Sequence, residues 1–471
     1  MILRFSAVET SEQFLSAPLF QRVAPLARQL DRIWSGSDET AIAQRMSLIA
    51  FAIRIASAGI AFLSQVVLAR WTGTFEYGIY VFVWTAIIIL GNLSCFGFQT
   101  AVIRFLPQYR REGDLERLRG ILLTSRIFVL LSASIIAATG IAIVWMLSGT
   151  IESYYVLPFV LAFTCLPMIA LGDVLDGTAR ANSWPVRALT PTYILRPFLV
   201  LAYMTIAHGF GFTATAVTAV IAAVLATYTT TLLQFFVITR HLDAAYPSGD
   251  RTVEFGLWMT VAFPIFLVEG FFFLLTNADV LMVGMLMPPE DVAVYFATVK
   301  TLALVHFVFF AVKAGVAQQF AARTSVEDRQ SLRSFARRTV GWTFWPSLLM
   351  GMVVLLLGRF LLSLFGAEFT QGYTLLFVLV AGVVLRASIG PAESLLNMTG
   401  NQNICAAIFA AVLVINITAN LILIPVFGLM GAAMGAAGAT AVEVLLLLTM
   451  TYRRIGVVMF VLAPKVAEPA T

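Results

Sequence analysis

The chain has 471 residues, of which 60% are hydrophobic and only 12% charged, with a net charge of +5. Soluble domains carry roughly 25% charged residues, so this chain has too little polar surface to coat a water-soluble globule, and its mean hydropathy is +0.91. A string of soluble domains is excluded, and an all-α integral membrane protein built as one helical bundle is expected.

Residues 1–45 are polar and hold no apolar run of signal length. Phe14, Leu15, Leu19, Val23, Leu26, Leu30 and Ile33 recur at mostly three- and four-residue steps, with Arg22, Arg28 and Arg32 between them. That spacing fits an amphipathic helix on a membrane surface. Pro18 and Pro25 interrupt helical hydrogen bonding and fit a mobile tail equally well.

A helix needs about 20 apolar residues to cross the hydrocarbon core. By that measure six spans fall near 46–70, 78–103, 120–147, 154–176, 186–207 and 214–238, making an N-lobe over 46–240. An inter-lobe loop, 241–255, leads to a C-lobe over 256–453. Its spans fall near 256–287, 293–320, 339–363, 373–397, 404–425 and 431–452, and a tail over 454–471 follows. The seventh span is long enough to be broken or tilted. Turn signals such as Thr72-Gly-Thr74, Tyr246-Pro-Ser-Gly249 and Met287-Pro-Pro-Glu290 separate the spans.

With the N-terminus inside, the inner segments hold 22 basic residues and the outer loops only Arg70 and Arg359. Cytoplasmic loops retain Lys and Arg, so both termini are expected in the cytoplasm and the span number is even. The outer loops are short. Cys95, Cys165 and Cys405 are scattered through apolar stretches, and His208, His241 and His306 are equally dispersed. No disulfide, metal site or cofactor is expected.

The two halves echo each other. Leu175-Asp-Gly-Thr-Ala-Arg-Ala-Asn182 matches Leu396-Asn-Met-Thr-Gly-Asn-Gln-Asn403 in register. The turn Gly73 to Tyr80 parallels Pro288 to Tyr295, and His208-Gly-Phe-Gly parallels Val426-Phe-Gly-Leu. A repeat of six plus six spans predicts two parallel lobes, which rock about a central cavity to give alternating access.

Ala69-Arg-Trp-Thr-Gly-Thr-Phe-Glu-Tyr-Gly-Ile-Tyr80 and Gly97-Phe-Gln-Thr-Ala-Val-Ile-Arg104 resemble the first two helices of the polysaccharide transporters of the multidrug/oligosaccharidyl-lipid/polysaccharide (MOP) exporter superfamily. Asn277-Ala-Asp-Val-Leu-Met-Val-Gly284 resembles their seventh helix, and Asn420 to Ala433 is similar to their penultimate outer turn. The resemblance runs from about residue 45 to 455 and implies a flippase for undecaprenyl-diphosphate-linked oligosaccharides. It further implies a bacterial inner membrane and glycans destined for O-antigen, capsule or exopolysaccharide. The implied partners are the lipid-linked oligosaccharide, membrane lipids and the polysaccharide polymerase and export machinery. No nucleic acid is among them. The long N-terminal tail departs from the family's short start.

Charges within spans are expensive and point to function. Arg196 and Arg386 fall near mid-span, and Arg54 and Lys313 in the inner halves of their spans. Arg grips phosphate oxygens with paired hydrogen bonds and Lys adds a compact charge, so these four are the candidate contacts to an anionic headgroup. The alternative role for each is a buried ion pair that ties helices together. Glu269 is the candidate for proton or cation coupling, while Asp279 and Lys300, in adjacent spans, form a candidate gate or strut by pairing. Arg126, Asp173, Asp176 and Glu393 lie near inner ends and suit snorkelling or helix capping.

A drug or organic-cation antiporter of the same superfamily is the competing function, and it calls for an acidic or aromatic cavity. A glycan polymerase or ligase calls for catalytic residues on a sizeable outer loop. The chain offers no such loop and no nucleotide-binding phosphate loop.

Overall fold

The computed structural model describes residues 39–324 and 329–462, with Glu12, Ala24 and Asp31 besides. Side chains are described from Ile53 onward, except at 54, 55 and several positions between 307 and 330. The surface-helix reading of the N-terminal tail lies outside these residues.

Every regular element among the described residues is helical. Lipid offers backbone groups no hydrogen-bond partners, and a helix satisfies them within its own segment. The first crossings come from α1 (Glu39–Leu93), which changes direction at Gly73, and α2 (Phe98–Glu112). Tyr77 Oη donates to Gln65 Oε1 at 2.9 Å across that point. A straight helix would hold those residues about 18 Å apart, so the chain doubles back at Gly73. The N-lobe continues with α3 (Leu115–Met146), α4 (Ser153–Phe163) and α5 (Leu166–Ala181). It ends with α6 (Pro185–Thr190), a π turn at Pro191–Leu195, α7 (Arg196–Gly209) and α8 (Ala216–Ala245).

The C-lobe has α9 (Phe255–Leu286), α10 (Pro289–Thr324) and α11 (Arg329–Ser363). A 3-10 turn at Glu368–Gly372 leads into α12 (Tyr373–Ala387) and α13 (Ala392–Met398). The lobe closes with α14 (Gln402–Phe427) and α15 (Leu429–Ile455).

Nine helical stretches among the described residues are long and apolar enough to cross a membrane, and α4 with α5, bent by 45°, makes a tenth. The first stretch, Ala56–Glu112, counts twice because of the reversal at Gly73. Adding α10, 36 residues long, gives the twelve expected. The broken spans are the second, fourth and tenth, while the seventh is one continuous helix, α9, through Pro264. The second breaks where Phe96 and Gly97 take positive φ, and the tenth where Gly390 does so ahead of Pro391.

Alternate loops gather at one end of the bundle. Glu76 accepts the Ala216 amide, Phe75 meets Tyr154, and Thr74 Oγ1 donates to Glu368. Arg70 donates from Nε to the Leu364 carbonyl and from Nη2 to that of Ser363, at 2.6 and 2.8 Å. The halves meet through α1 and α2 against α9 and α10. At the loop end this seam is tight: Tyr77 packs on Phe296 and Phe369, Phe62 on Phe365, and a Cβ at Gly78 would overlap the Pro289 carbonyl. Toward the other end α2 runs along α9, where Trp258 Nε1 donates to Tyr109 Oη at 2.9 Å.

Candidate functional site

Four charges of the C-lobe form one network. Arg386 sits in the last turn of α12 and Glu393 in the first turn of α13, flanking the break at 388–391. A helix C-terminus favours a cation and an N-terminus an anion, so the break itself suits this pair. Arg386 donates from Nη2 to Glu393 at 2.6 Å, from Nε to Glu443 at 2.7 Å, and from Nη1 to the Gly390 carbonyl at 3.3 Å. Lys313 Nζ lies 3.0 Å from the second oxygen of Glu393. Two cations and two carboxylates thus join α10, α12, α13 and α15, with Phe309 under the Arg386 guanidinium and Phe272 under Lys313. Lys313 is the open member: its side chain is 31% exposed against 2% for Glu393.

The N-lobe is built differently. Pro197 lacks an N–H and its ring crowds the preceding turn. The helix widens there into a π turn, with the Arg196 amide donating to the Pro191 carbonyl five residues back. Such turns recur at functional sites. Arg196 faces Gly172 of α5, and Tyr80, Cys165, Asp173 and Tyr193 are its polar neighbours. It forms no ion pair with any carboxylate among the described residues, and its Nε is buried without a hydrogen-bond partner. The nearby Asp173 accepts a long 3.5 Å hydrogen bond from Asn92, and Asp176 pairs with Arg180 at 2.6 Å.

The structure brings Lys313 and Arg386 together, and it leaves Arg196 apart in the other lobe. The side chain of Arg54 lies outside the described residues. Glu269 bridges the lobes, accepting from Thr100 of α2 at 2.8 Å. Asp279 and Lys300 do not pair. Asp279 accepts from Asn416 and Asn420 of α14, both at 2.9 Å, while Lys300 sits over the Phe296 ring at 4.6 Å. In apolar surroundings two amides satisfy a carboxylate at short range, and an aromatic face attracts an ammonium.

Glu443 and Glu393 are the partners that the sequence reading passed over. The seven-residue spacing of Arg386 and Glu393 was a signal for one of them. No sequence signal links Arg386 to Glu443, 57 residues on.

Comparison with known proteins places the chain. The family model described as "Polysaccharide biosynthesis protein" matches residues 45–317, more than half of the chain, and the MatE model matches 264–422. No curated protein matches it by sequence. Among solved structures, an inward-facing multidrug resistance MATE family transporter of the MOP superfamily superposes with a TM-score of 0.71. It is 15% identical, over 86% of this chain and 98% of that one. An outward-facing form of such a transporter gives 0.64 at 15% identity, over 90% and 97%. The lipid II flippase MurJ in an inward closed conformation gives 0.66 at 14% identity, over 86% and 87%. The chain belongs to the polysaccharide biosynthesis protein family, and it is a multi-pass membrane protein with the fold of the MOP superfamily structures on which it superposes.

Proposed function

We propose that the chain is a lipid-linked oligosaccharide flippase of the bacterial inner membrane. It moves an undecaprenyl-diphosphate glycan from the basic, cytoplasmic side to the outer side, where polymerase and export machinery assemble the polysaccharide. The observation that carries this reading is Arg196, a cation within the membrane span that makes no ion pair within 4.0 Å among the described residues and keeps an unpartnered Nε. A charge left so in a span is expensive, and an anionic ligand offsets that cost. Lys313 supplies the second contact from the C-lobe, held in place by Glu393. Arg386 acts on it through the same carboxylate, and Arg54 is the fourth cation of this proposal on sequence grounds alone.

Alternating access is supported by the seam between the lobes. Its loop end is closed by Arg70, Thr74 and the aromatic cluster around Tyr77. The fit to the inward-facing relative, 0.71 against 0.64 for the outward-facing one, agrees with such a state. Glu269 couples the cycle to protons, because its bond to Thr100 spans the two halves. Asp279, held by Asn416 and Asn420, braces α9 against α14.

The test is reconstitution in liposomes, following the sidedness of a fluorescent undecaprenyl-diphosphate oligosaccharide with and without a proton gradient. Protein-dependent translocation is expected. Efflux of an organic cation without glycan movement would move the chain to the drug-antiporter reading, for which the MatE match over 264–422 speaks.

A further inference from the structure

A cavity of about 370 Å³ opens at the basic end of the N-lobe, between α3, α8 and the inter-lobe linker. Arg119, Arg126 and Arg251 line it, with Asp243 as the single acidic residue on its wall. Asp243 forms no ion pair within 4.0 Å among the described residues, so the lining is cationic by two charges.

Arg126 is the cation of this lining whose hydrogen bonds are left partly unmet. Its guanidinium lies over the Phe235 ring at 5.3 Å and donates from Nη1 to Thr239 Oγ1 at 3.2 Å. Its Nε and Nη2 are buried and have no hydrogen-bond partner. Those two nitrogens form one edge of the guanidinium fork, the edge that binds two phosphate oxygens at once. A snorkelling arginine would carry that edge to water. This one keeps that edge packed within the cavity wall, beside two further arginines.

We infer that this cavity binds the phosphate headgroup of an anionic membrane phospholipid. The lipid, in preference to a free phosphate, follows from α3. Leu123, Ile127, Leu131 and Ile135 project from it at four-residue intervals and are 37, 47, 59 and 66% exposed. They form an apolar stripe that starts at the cavity mouth and runs into the membrane, the path an acyl chain takes. The headgroup sits at the membrane surface, where basic residues collect anionic lipids.

The roof of the cavity gives the site a consequence. Residues 246–249 of the linker close it, and Arg119 holds that linker by donating to the Pro247 and Asp250 carbonyls at 2.9 and 3.0 Å. Arg117 adds an ion pair to Glu254 at 2.9 Å. A bound headgroup therefore ties the segment joining the two lobes to α3. This assignment does not depend on which substrate the transporter moves.

The test uses the full-length protein in detergent, with native mass spectrometry and melting as readouts. The probes are short-chain phosphatidylglycerol, phosphatidylcholine of equal chain length, and inorganic phosphate. Phosphatidylglycerol is expected to remain bound and raise the melting temperature, and the other two are not. Arg126→Gln and Arg251→Gln should each weaken that binding about tenfold, the worth of one charge-assisted hydrogen bond. Arg251 lies in the linker, so its variant tests the site even if Arg126→Gln misfolds. Unchanged phosphatidylglycerol binding in a folded variant, or equal retention of phosphatidylcholine, would overturn the inference. Displacement of the lipid by inorganic phosphate would overturn it in favour of free phosphate.

Discussion

The two lobes treat a mid-membrane arginine in opposite ways. Arg386 of the C-lobe has all three nitrogens engaged, two of them by carboxylates. Arg196 of the N-lobe has no carboxylate partner among the described residues and an unpartnered buried Nε. Taking a charge out of water is costly, and a full set of hydrogen-bonded partners offsets the cost within the protein. Arg386 therefore serves the structure of its lobe. Arg196 is left with capacity for something that is not part of the chain.

Substitutions sharpen that contrast, beginning with the C-lobe. Replacing Arg386 with Met leaves Glu393 and Glu443 buried with one cation between them, and should cost about 3–5 kcal/mol. Lys313→Met should cost less, since Glu393 keeps Arg386 and the lysine is already 31% exposed. Arg196→Met removes a charge that no carboxylate partners, and its melting temperature in detergent should stay close to that of the parent. Equal melting losses for Arg386→Met and Arg196→Met would erase the distinction between the lobes.

A smaller effect belongs to the seam. Glu269→Gln keeps an oxygen to accept the Thr100 hydroxyl, so the bridge between α2 and α9 survives while the titrating group is lost. Folding and basal transport should persist, and the acceleration by a proton gradient should disappear. An unchanged response to the gradient would remove Glu269 from the coupling.

The architecture was largely legible in the sequence because lipid imposes a simple length rule. Twelve apolar segments were visible, and the alternation of their loops follows from chain order. Element ends were less so: α1 begins at Glu39 rather than 46, and α8 runs to Ala245 rather than 238. Helices extend beyond the hydrocarbon, where polar residues no longer register in hydropathy. The place of each charge along its apolar segment could be read too, and it singled out Arg196, Arg386, Glu269 and Asp279. The direction in which each side chain points around its helix was not. Asp279 meets Asn416 and Asn420 in place of Lys300 because α14 packs against that face of α9. Arg126, read as a snorkelling residue, turns instead onto Phe235 and Thr239.

The most direct test is the initial rate of undecaprenyl-diphosphate oligosaccharide translocation by Arg196→Gln in liposomes, with its folding checked by melting. A substrate contact predicts a folded protein whose rate falls at least about tenfold, the loss of one charge-assisted phosphate contact. Translocation at the parent rate by a folded Arg196→Gln protein would contradict the assignment of that arginine to the diphosphate.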